Sequence, residues 1–384
     1  MKFIFWLCLI LLIQVYILYP LTLRLLSFFF KNSVNSENNH PADVRQRIGS
    51  ERASGSDKVS IIISAHNEEE IIEQKILNTL ALDYPKEKME ILIGDDGSTD
   101  KTSEIVQKFS EVHLFKKDKN EGKAAMLNDL CKIAKGDFFL FSDANTMIEK
   151  NALKNLISEF TDSSIGCVCG QLALKDESGS ALSKTESLYW RGESKLKMLE
   201  SHFGAVMGSN GALYAIRAEL YPVLPTHETI MDDFYITAKI LMKNYSCIFC
   251  ENALAYEKTS VSKYGEFNRK VRIGRANFNF LFNFFPLLNP SQPMKAYMFL
   301  SHKLLRWLSP FLLLALFVSS IPLVDVNIFY LAFLSLEFLF AIAALLGVKE
   351  CNYFLSMNFA LFLGFCKSFF KESGGAWKRE ERQK

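Results

Sequence analysis

Two kinds of hydrophobic pattern divide this chain. At the N-terminus, Phe3 to Leu23 is almost wholly apolar. A spanning helix needs about 20 such residues, so the segment suffices. Near the C-terminus, Leu304 to Val324 and Asn327 to Val348 repeat the pattern. A further stretch, Tyr353 to Phe370, is shorter and carries Asn358 and Lys367, which places it in the interface or across the bilayer. Between these ends the pattern is that of a folded domain. "VSIIIS" (Val59 to Ser64) is a β-branched run suited to a strand buried on both faces. Ile72, Ile76 and Leu80 then recur at helical spacing. "MEILIG" reads as the next strand, Thr99 to Phe109 as a helix, "VHLFKK" as a strand, Lys123 to Ala134 as a helix and "DFFLFS" as a strand. Beyond Ser180, Leu182 to Phe203 reads as a helix, "GALYAIR" as a strand and Asp232 to Lys243 as a helix.

Strands alternating with helices predict an α/β fold, Rossmann-like, with a mostly parallel sheet, helices on both faces, and transmembrane helices attached. The boundaries follow from the composition. Residues 1–30 form an anchor, 31–58 a polar linker, and 59–260 the catalytic domain. Residues 261–295 mix basic and aromatic side chains, 296–350 hold two spans, and 351–384 end in an interfacial or third membrane segment with a basic tail.

Charge orients the chain. Lys2 alone precedes the first span, whereas Arg24, Lys31, Arg45, Arg47 and Arg52 follow it. The positive-inside rule puts the domain in the cytoplasm, against what is expected to be a bacterial inner membrane. The tail "WKREERQK" favours a cytoplasmic C-terminus and hence an even number of spans after the domain. The net charge of +2 over 384 residues gives no bias toward nucleic acid. Cys167 and Cys169 form a C-x-C, and Cys247 and Cys250 a C-x-x-C. Both pairs lie in strand-like runs without zinc-knuckle turn residues, so they read as small buried hydrophobes. A cytoplasmic domain keeps such thiols reduced.

In doubly wound sheets, ligands bind beyond the carboxyl ends of the strands. His66 to Glu70, Asp95 with Asp96, and Asp143 all fall at such ends. In "GDDGSTDKT" one carboxylate can accept from a base imide or a ribose hydroxyl, or the motif is an Asx-turn with a helix cap. Lys123, opening a helix in "EGKAAMLND", can neutralise a phosphate or can be a solvated lysine. In "SDAN", Asp143 is a hard oxygen ligand for Mg2+ or Mn2+. Asn145 offers a neutral amide oxygen, or merely caps the turn. A bound diphosphate would then bring most of the negative charge, so metal is expected to bind poorly without nucleotide. The adjacent Asp232 and Asp233 in "MDDF" repel, which can raise one toward a useful base, or they cap the helix they open. Arg269 and Arg272 lie three apart in "NRKVRI" and can clamp a diphosphate or contact anionic lipid.

The motifs "IIISAHNEEE", "GDDGSTD", "GKAAMLN", "SDAN", "GSNGALYAIR", "MDDF" and "RKVRI" run in the order seen in glycosyltransferase family 2, and the chain resembles its membrane-anchored branch with the cellulose and hyaluronan synthases. The resemblance implies a GT-A fold and inverting transfer from a nucleotide sugar. It implies that Glu68, Asp95 and Asp96 hold the nucleoside, Lys123 faces the phosphates, Asp143 binds the metal diphosphate and Asp233 is the general base. Ser209, Asn210 and Gly211, with Asp232, would border the acceptor. Two departures stand out. The D-x-D is D-A-N, and "RKVRI" lacks the Trp of the processive Q-x-x-R-W. The chain therefore reads as adding one or a few sugars to a membrane-associated glycan or lipid-linked acceptor, with membrane lipids as further partners. A nucleotidyltransferase on a similar sheet, releasing inorganic diphosphate, and a non-catalytic nucleotide-binding scaffold are the competing readings.

Overall fold

Seven consecutive buried residues, Val59–Ala65, form the first strand, β1. Burial at every position, with no alternation, marks a strand covered on both faces. The computed structural model describes residues 1–37, 57–175, 181–258 and 263–370. Among these residues two compact units emerge, one within residues 27–259, the other within residues 1–26 and 260–370.

In the first unit, β1 is joined by β2 (Met89–Asp96), β3 (Val112–Lys117), β4 (Phe138–Phe141), β5 (Met147–Ile148), β6 (Ile165–Lys175), β7 (Tyr214–Arg217) and β8 (Ser246–Lys258). They make one eight-stranded sheet in the order β3-β2-β1-β4-β7-β6-β8-β5. The half from β3 to β4 is parallel. The sheet then turns mixed, because β7 runs antiparallel to both β4 and β6, while β6 and β8 are parallel. A core of Ile61, Ile63, Ile76, Ile91, Ile93 and Leu140 packs the helix Ile72–Leu80 on one face. The helix Lys123–Ile133 lies on β2. Gly94 permits its close approach, since a Cβ there would stand 2.2 Å from Met126 Sδ.

Three elements differ from their sequence reading. The helix expected over Thr99 to Phe109 covers only Thr102–Val106. Asp100 Oδ1 accepts from the Thr102 backbone N–H at 2.9 Å, which turns the chain just before the helix, and Phe109 N–H closes a tightened last turn on Val106 O at 3.1 Å. The strand expected from Gly211 starts only at Tyr214, because Gly211 N–H donates to Asp233 and Leu213 N–H to Asn210 O. The helix of the N-terminal segment continues to Glu37, past the expected start of the linker. Much of that linker, with Arg45, Arg47 and Arg52, lies outside the described residues, as does the tail.

In the second unit, three helices among the described residues are long and apolar enough to cross a membrane: Lys2–Phe29, Pro293–Leu323 and Ile328–Leu345. Phe5 stands edge-on to Tyr330 and Phe333, each with ring centroids 5.0 Å away. Gln14 donates to Tyr297 and Ser301 at 3.0 and 3.1 Å, so its amide is satisfied inside the bundle. The basic-aromatic segment forms the helix Lys263–Asn279 and then a 3-10 stretch, Leu281–Leu288, around Pro286. The stretch from Tyr353 lies in a helix, Lys349–Ser368, which crosses Lys263–Asn279 where Gly364 meets the backbone of Val271 and Arg275.

Candidate active site

The parallel half of the sheet sets β1, β2 and β4 side by side, so their carboxyl-end loops converge. Asp95 and Asp96, closing β2, are fully buried. Asp95 accepts from Ser98 N–H at 2.9 Å and from the Ser103 hydroxyl. Asp96 accepts from Glu121 N–H at 2.9 Å and Gly122 N–H at 2.7 Å. Asp95 thus shapes its own turn, and Asp96 fixes the entry of the Lys123–Ile133 helix. Glu68, also buried, is tied to the same region through its backbone N–H, which donates to Thr102 Oγ1 at 2.8 Å.

Lys123, in the first turn of that helix, is not a solvated lysine. Its ammonium lies 2.8 Å from Asp143 Oδ1 and 3.0 Å from Asp232 Oδ2. Burial on its own would lower the Lys123 pKa, but Asp143 and Asp232 outweigh it and hold the amine well above the usual lysine range. Asp232 and Asp233 occupy the first turn of the helix Asp232–Met242. Asp233 Oδ1 accepts from Phe234 N–H at 2.7 Å and Oδ2 from Gly211 N–H at 3.0 Å. Burial first, and then the charge of Asp232, push its carboxyl up to about 6, against the pull of Lys123. A Cβ placed on Gly211 would lie 3.4 Å from Asp143 Oδ2 and 3.6 Å from Asp233 Oδ2. Lys123, Asp143, Asp232, Asp233 and Gly211 therefore form one cluster. Ser209 supports it, its hydroxyl donating to Asp233 O at 3.1 Å.

Sequence reasoning missed three side chains here. Glu257 on β8 accepts from Asn145 Nδ2 at 2.6 Å. A carboxylate can only accept, so the amide nitrogen faces Glu257 and the Asn145 oxygen turns away from it. Lys197, buried on the helix Ala181–Ser201, donates to Asn210 Oδ1 and so braces the Ser209–Gly211 loop. Lys75, fully buried on the helix Ile72–Leu80, donates to Ser142 Oγ at 2.7 Å and Thr146 O at 2.6 Å. Glu257 closes β8 far from any motif, and the two lysines sit inside helical patterns. A charged residue at an apolar helix position, as at Lys75 beside Ile72, Ile76 and Thr79, is the one signal that was readable.

The donor set suits a hard divalent cation. Asp143 gives a carboxylate and Asn145 an amide oxygen, and the Lys123 ammonium already marks the spot between Asp143 and Asp232 as favourable to positive charge. Arg269 and Arg272 belong to the other unit. Arg269 is held by Glu266, with Nε and Nη2 each 2.7 Å from Oε2, and Arg272 is exposed. Cys167 and Cys247 pair across β6 and β8, buried and with free thiols.

Residues 60–216 match the family model of glycosyl transferase family 2. The probable glycosyltransferase YdaM of Bacillus subtilis is 27% identical over 302 residues, 73% of this chain and 69% of that protein. A poly-beta-1,6-N-acetyl-D-glucosamine synthase of Staphylococcus epidermidis is 25% identical over 284 residues, 72% of this chain and 65% of that protein. The chain thus spans about two thirds of the length of both relatives. Among solved structures, the mannosyltransferase PcManGT of Pyrobaculum calidifontis, in complex with GDP-Man and Mn2+, superposes with a TM-score of 0.65 at 21% identity, covering 92% of this chain and 99% of that one. The matched segment, which carries β1, β2, Lys123 and Asp143, is a glycosyl transferase family 2 domain, and the shared architecture is the GT-A fold.

Proposed function

We propose that this protein is a membrane-bound inverting glycosyltransferase that moves a sugar from a nucleotide donor, UDP-linked, to a membrane-associated glycan or lipid-linked acceptor. The observation that carries the reading is the pairing of Asp143 with a proton-accepting Asp233 around Gly211, with Lys123 fixed between Asp143 and Asp232. An acceptor hydroxyl placed at Gly211 meets Asp233, whose raised pKa suits it to take a proton near neutral pH. The hydroxyl oxygen attacks the anomeric carbon, its proton passes to Asp233, and the bond to the diphosphate breaks with its electrons on the leaving oxygen. Lys123, kept cationic by its two carboxylate partners, meets the charge that develops there. Asp143 and the Asn145 oxygen are the residues that would hold Mg2+ or Mn2+, which when bound neutralises the diphosphate. Asp95, Asp96 and Glu68 shape the loops that border the nucleoside.

The three apolar helices support a membrane-bound acceptor, because holding enzyme and acceptor in one bilayer raises their encounter. The residues around the first span support a cytoplasmic catalytic domain. The test is a panel of nucleotide sugars offered to the full-length protein in detergent or liposomes. Release of nucleoside diphosphate that depends on Asp233 is the expected result. Release of inorganic diphosphate would indicate attack at phosphorus and overturn the reading.

A further inference from the structure

A lysine with no exposed surface is a rare placement, because the amine must give up its water for whatever bonds the protein supplies. Lys75 is such a residue: its side chain lies wholly inside the catalytic unit. Apolar side chains surround it on its own helix, with Ile72 and Ile76 buried alongside. A Met or Leu there would fill the same space without the desolvation cost. What the amine adds is two hydrogen bonds, and both go to one short loop. One reaches Ser142 Oγ at 2.7 Å and the other Thr146 O at 2.6 Å. These two residues flank Asp143 and Asn145, the oxygen donors of the candidate metal site. The Ser142 hydroxyl passes the connection on, donating to Ala212 O at 2.8 Å. Ala212 follows Gly211, whose N–H holds Asp233 Oδ2 at 3.0 Å. A single chain of bonds therefore runs from the Lys75 amine to both ends of the donor-side loop and on to the acceptor-side loop.

We infer that Lys75 is a positioning residue: its buried amine staples the Ser142–Thr146 loop so that Asp143 and Asn145 present their oxygens together, and couples that loop through Ser142 to the backbone beside Asp233. The inference rests on the transferase reading of the site. It concerns geometry and does not require Lys75 to touch donor or acceptor. Outer residues that orient metal ligands typically change metal affinity by about 10- to 100-fold when removed. A lysine that only glued the helix to the sheet would act on stability and leave metal use untouched.

The test uses the full-length protein and the Lys75→Met variant, which keeps length and apolar volume but has no donor. UDP and GDP affinities are measured by calorimetry with and without Mn2+, beside thermal unfolding. The expected result is an unfolding temperature equal to or above that of the parent, unchanged affinity without Mn2+, and a gain from Mn2+ reduced about 10- to 100-fold. Ser142→Ala, which breaks the relay but leaves the bond to Thr146, should reduce the gain by a smaller factor. An undiminished Mn2+ gain in folded Lys75→Met overturns the inference. So does a variant that fails to fold while Ser142→Ala keeps the full gain. Absence of any Mn2+ gain in the parent protein for both nucleotides would instead remove the metal-site part of the transferase reading on which this rests.

Discussion

Asp143 and Asp233 border the same point in space, the open face of Gly211, at 3.4 and 3.6 Å from where a Cβ would stand. One carboxylate lies two residues beyond a strand of the parallel half of the sheet, and the other opens a helix some ninety residues later in the chain. Their convergence sets two carboxylates about one point, where the proposed transfer needs a donor-side group and an acceptor-side base. An in-line displacement requires that arrangement, with the attacking oxygen and the leaving oxygen on opposite faces of the anomeric carbon.

Gly211→Ala tests the use of that volume. The added methyl would meet both carboxylates only at ordinary contact distance, and Gly211 is not among the glycines with a left-handed backbone. The variant should fold with an unchanged unfolding temperature and bind nucleotide. Its transfer rate should fall by about 10²-fold, the size of loss a misplacement of about 1 Å produces. Full activity would mean that the reacting groups lie elsewhere.

The D-A-N loop gives a second prediction. Glu257 sits 2.6 Å from the Asn145 amide nitrogen, so the site already holds a second carboxylate, from a strand distant in sequence. Asn145→Asp would set two carboxylates against each other and replace a hydrogen bond by repulsion. Without metal the variant should unfold at a lower temperature than the parent. With Mn2+ and UDP that loss should be recovered, because the cation joins the two charges. Thermal unfolding with and without Mn2+ and UDP reads both effects. An equal stability loss in both conditions would place the metal away from Asn145.

How far the sequence reached is visible in these residues. Asp143, Lys123, Asp232 and Asp233 were readable because each sits at the end of a strand or the start of a helix whose period is plain. The parallel half of the sheet was readable for the same reason. Glu257 and Lys197 were not, and Lys75 showed only as a charge at an apolar helix position, since each acts through a partner about 13 to 112 residues away that nothing local reports. Asp95 and Asp96 show the opposite limit. Their acidic pair is prominent in the sequence, but nothing there tells that Asp95 holds its own turn while Asp96 holds the entry of the Lys123–Ile133 helix. The mixed half of the sheet was legible only as separate strands, because antiparallel pairing of β7 between β4 and β6 depends on long-range packing.

Topology can be tested directly. A cysteine placed at exposed Asp118, in the turn after β3, should react in intact cells only after a membrane-permeant reagent is used. That is the outcome for a catalytic domain on the cytoplasmic side, where sugar nucleotides are supplied. Labelling by an impermeant reagent would reverse the orientation.

The Asp233 carboxyl is pushed up to about 6, first by burial and then by Asp232. A base must be deprotonated, so kcat/KM should rise with pH through an acid limb near that value. Asp232→Asn removes a raising charge and should move the limb downward. The same shift makes a stability statement. With the folded pKa above the unfolded value of 3.8, protonated Asp233 favours the folded state, and that contribution is present below about pH 4 and lost as the pH rises through about 6. A profile that is flat across this range would exclude Asp233 as the titrating base.

The central claim is that Asp233 takes the proton of the acceptor during transfer from a nucleotide sugar. The most direct measurement compares nucleoside diphosphate release and nucleotide affinity for the parent, Asp233→Asn and Asp232→Asn. Asp233→Asn cannot take a proton, and its amide can satisfy only one of the two backbone donors, Gly211 N–H and Phe234 N–H, that the carboxylate now accepts from. Its kcat should fall by about 10²- to 10⁴-fold while nucleotide affinity stays close to that of the parent. Asp232→Asn loosens Lys123 and should show a smaller loss, expressed partly as a higher KM for donor. An active Asp233→Asn beside a dead Asp232→Asn would contradict the account.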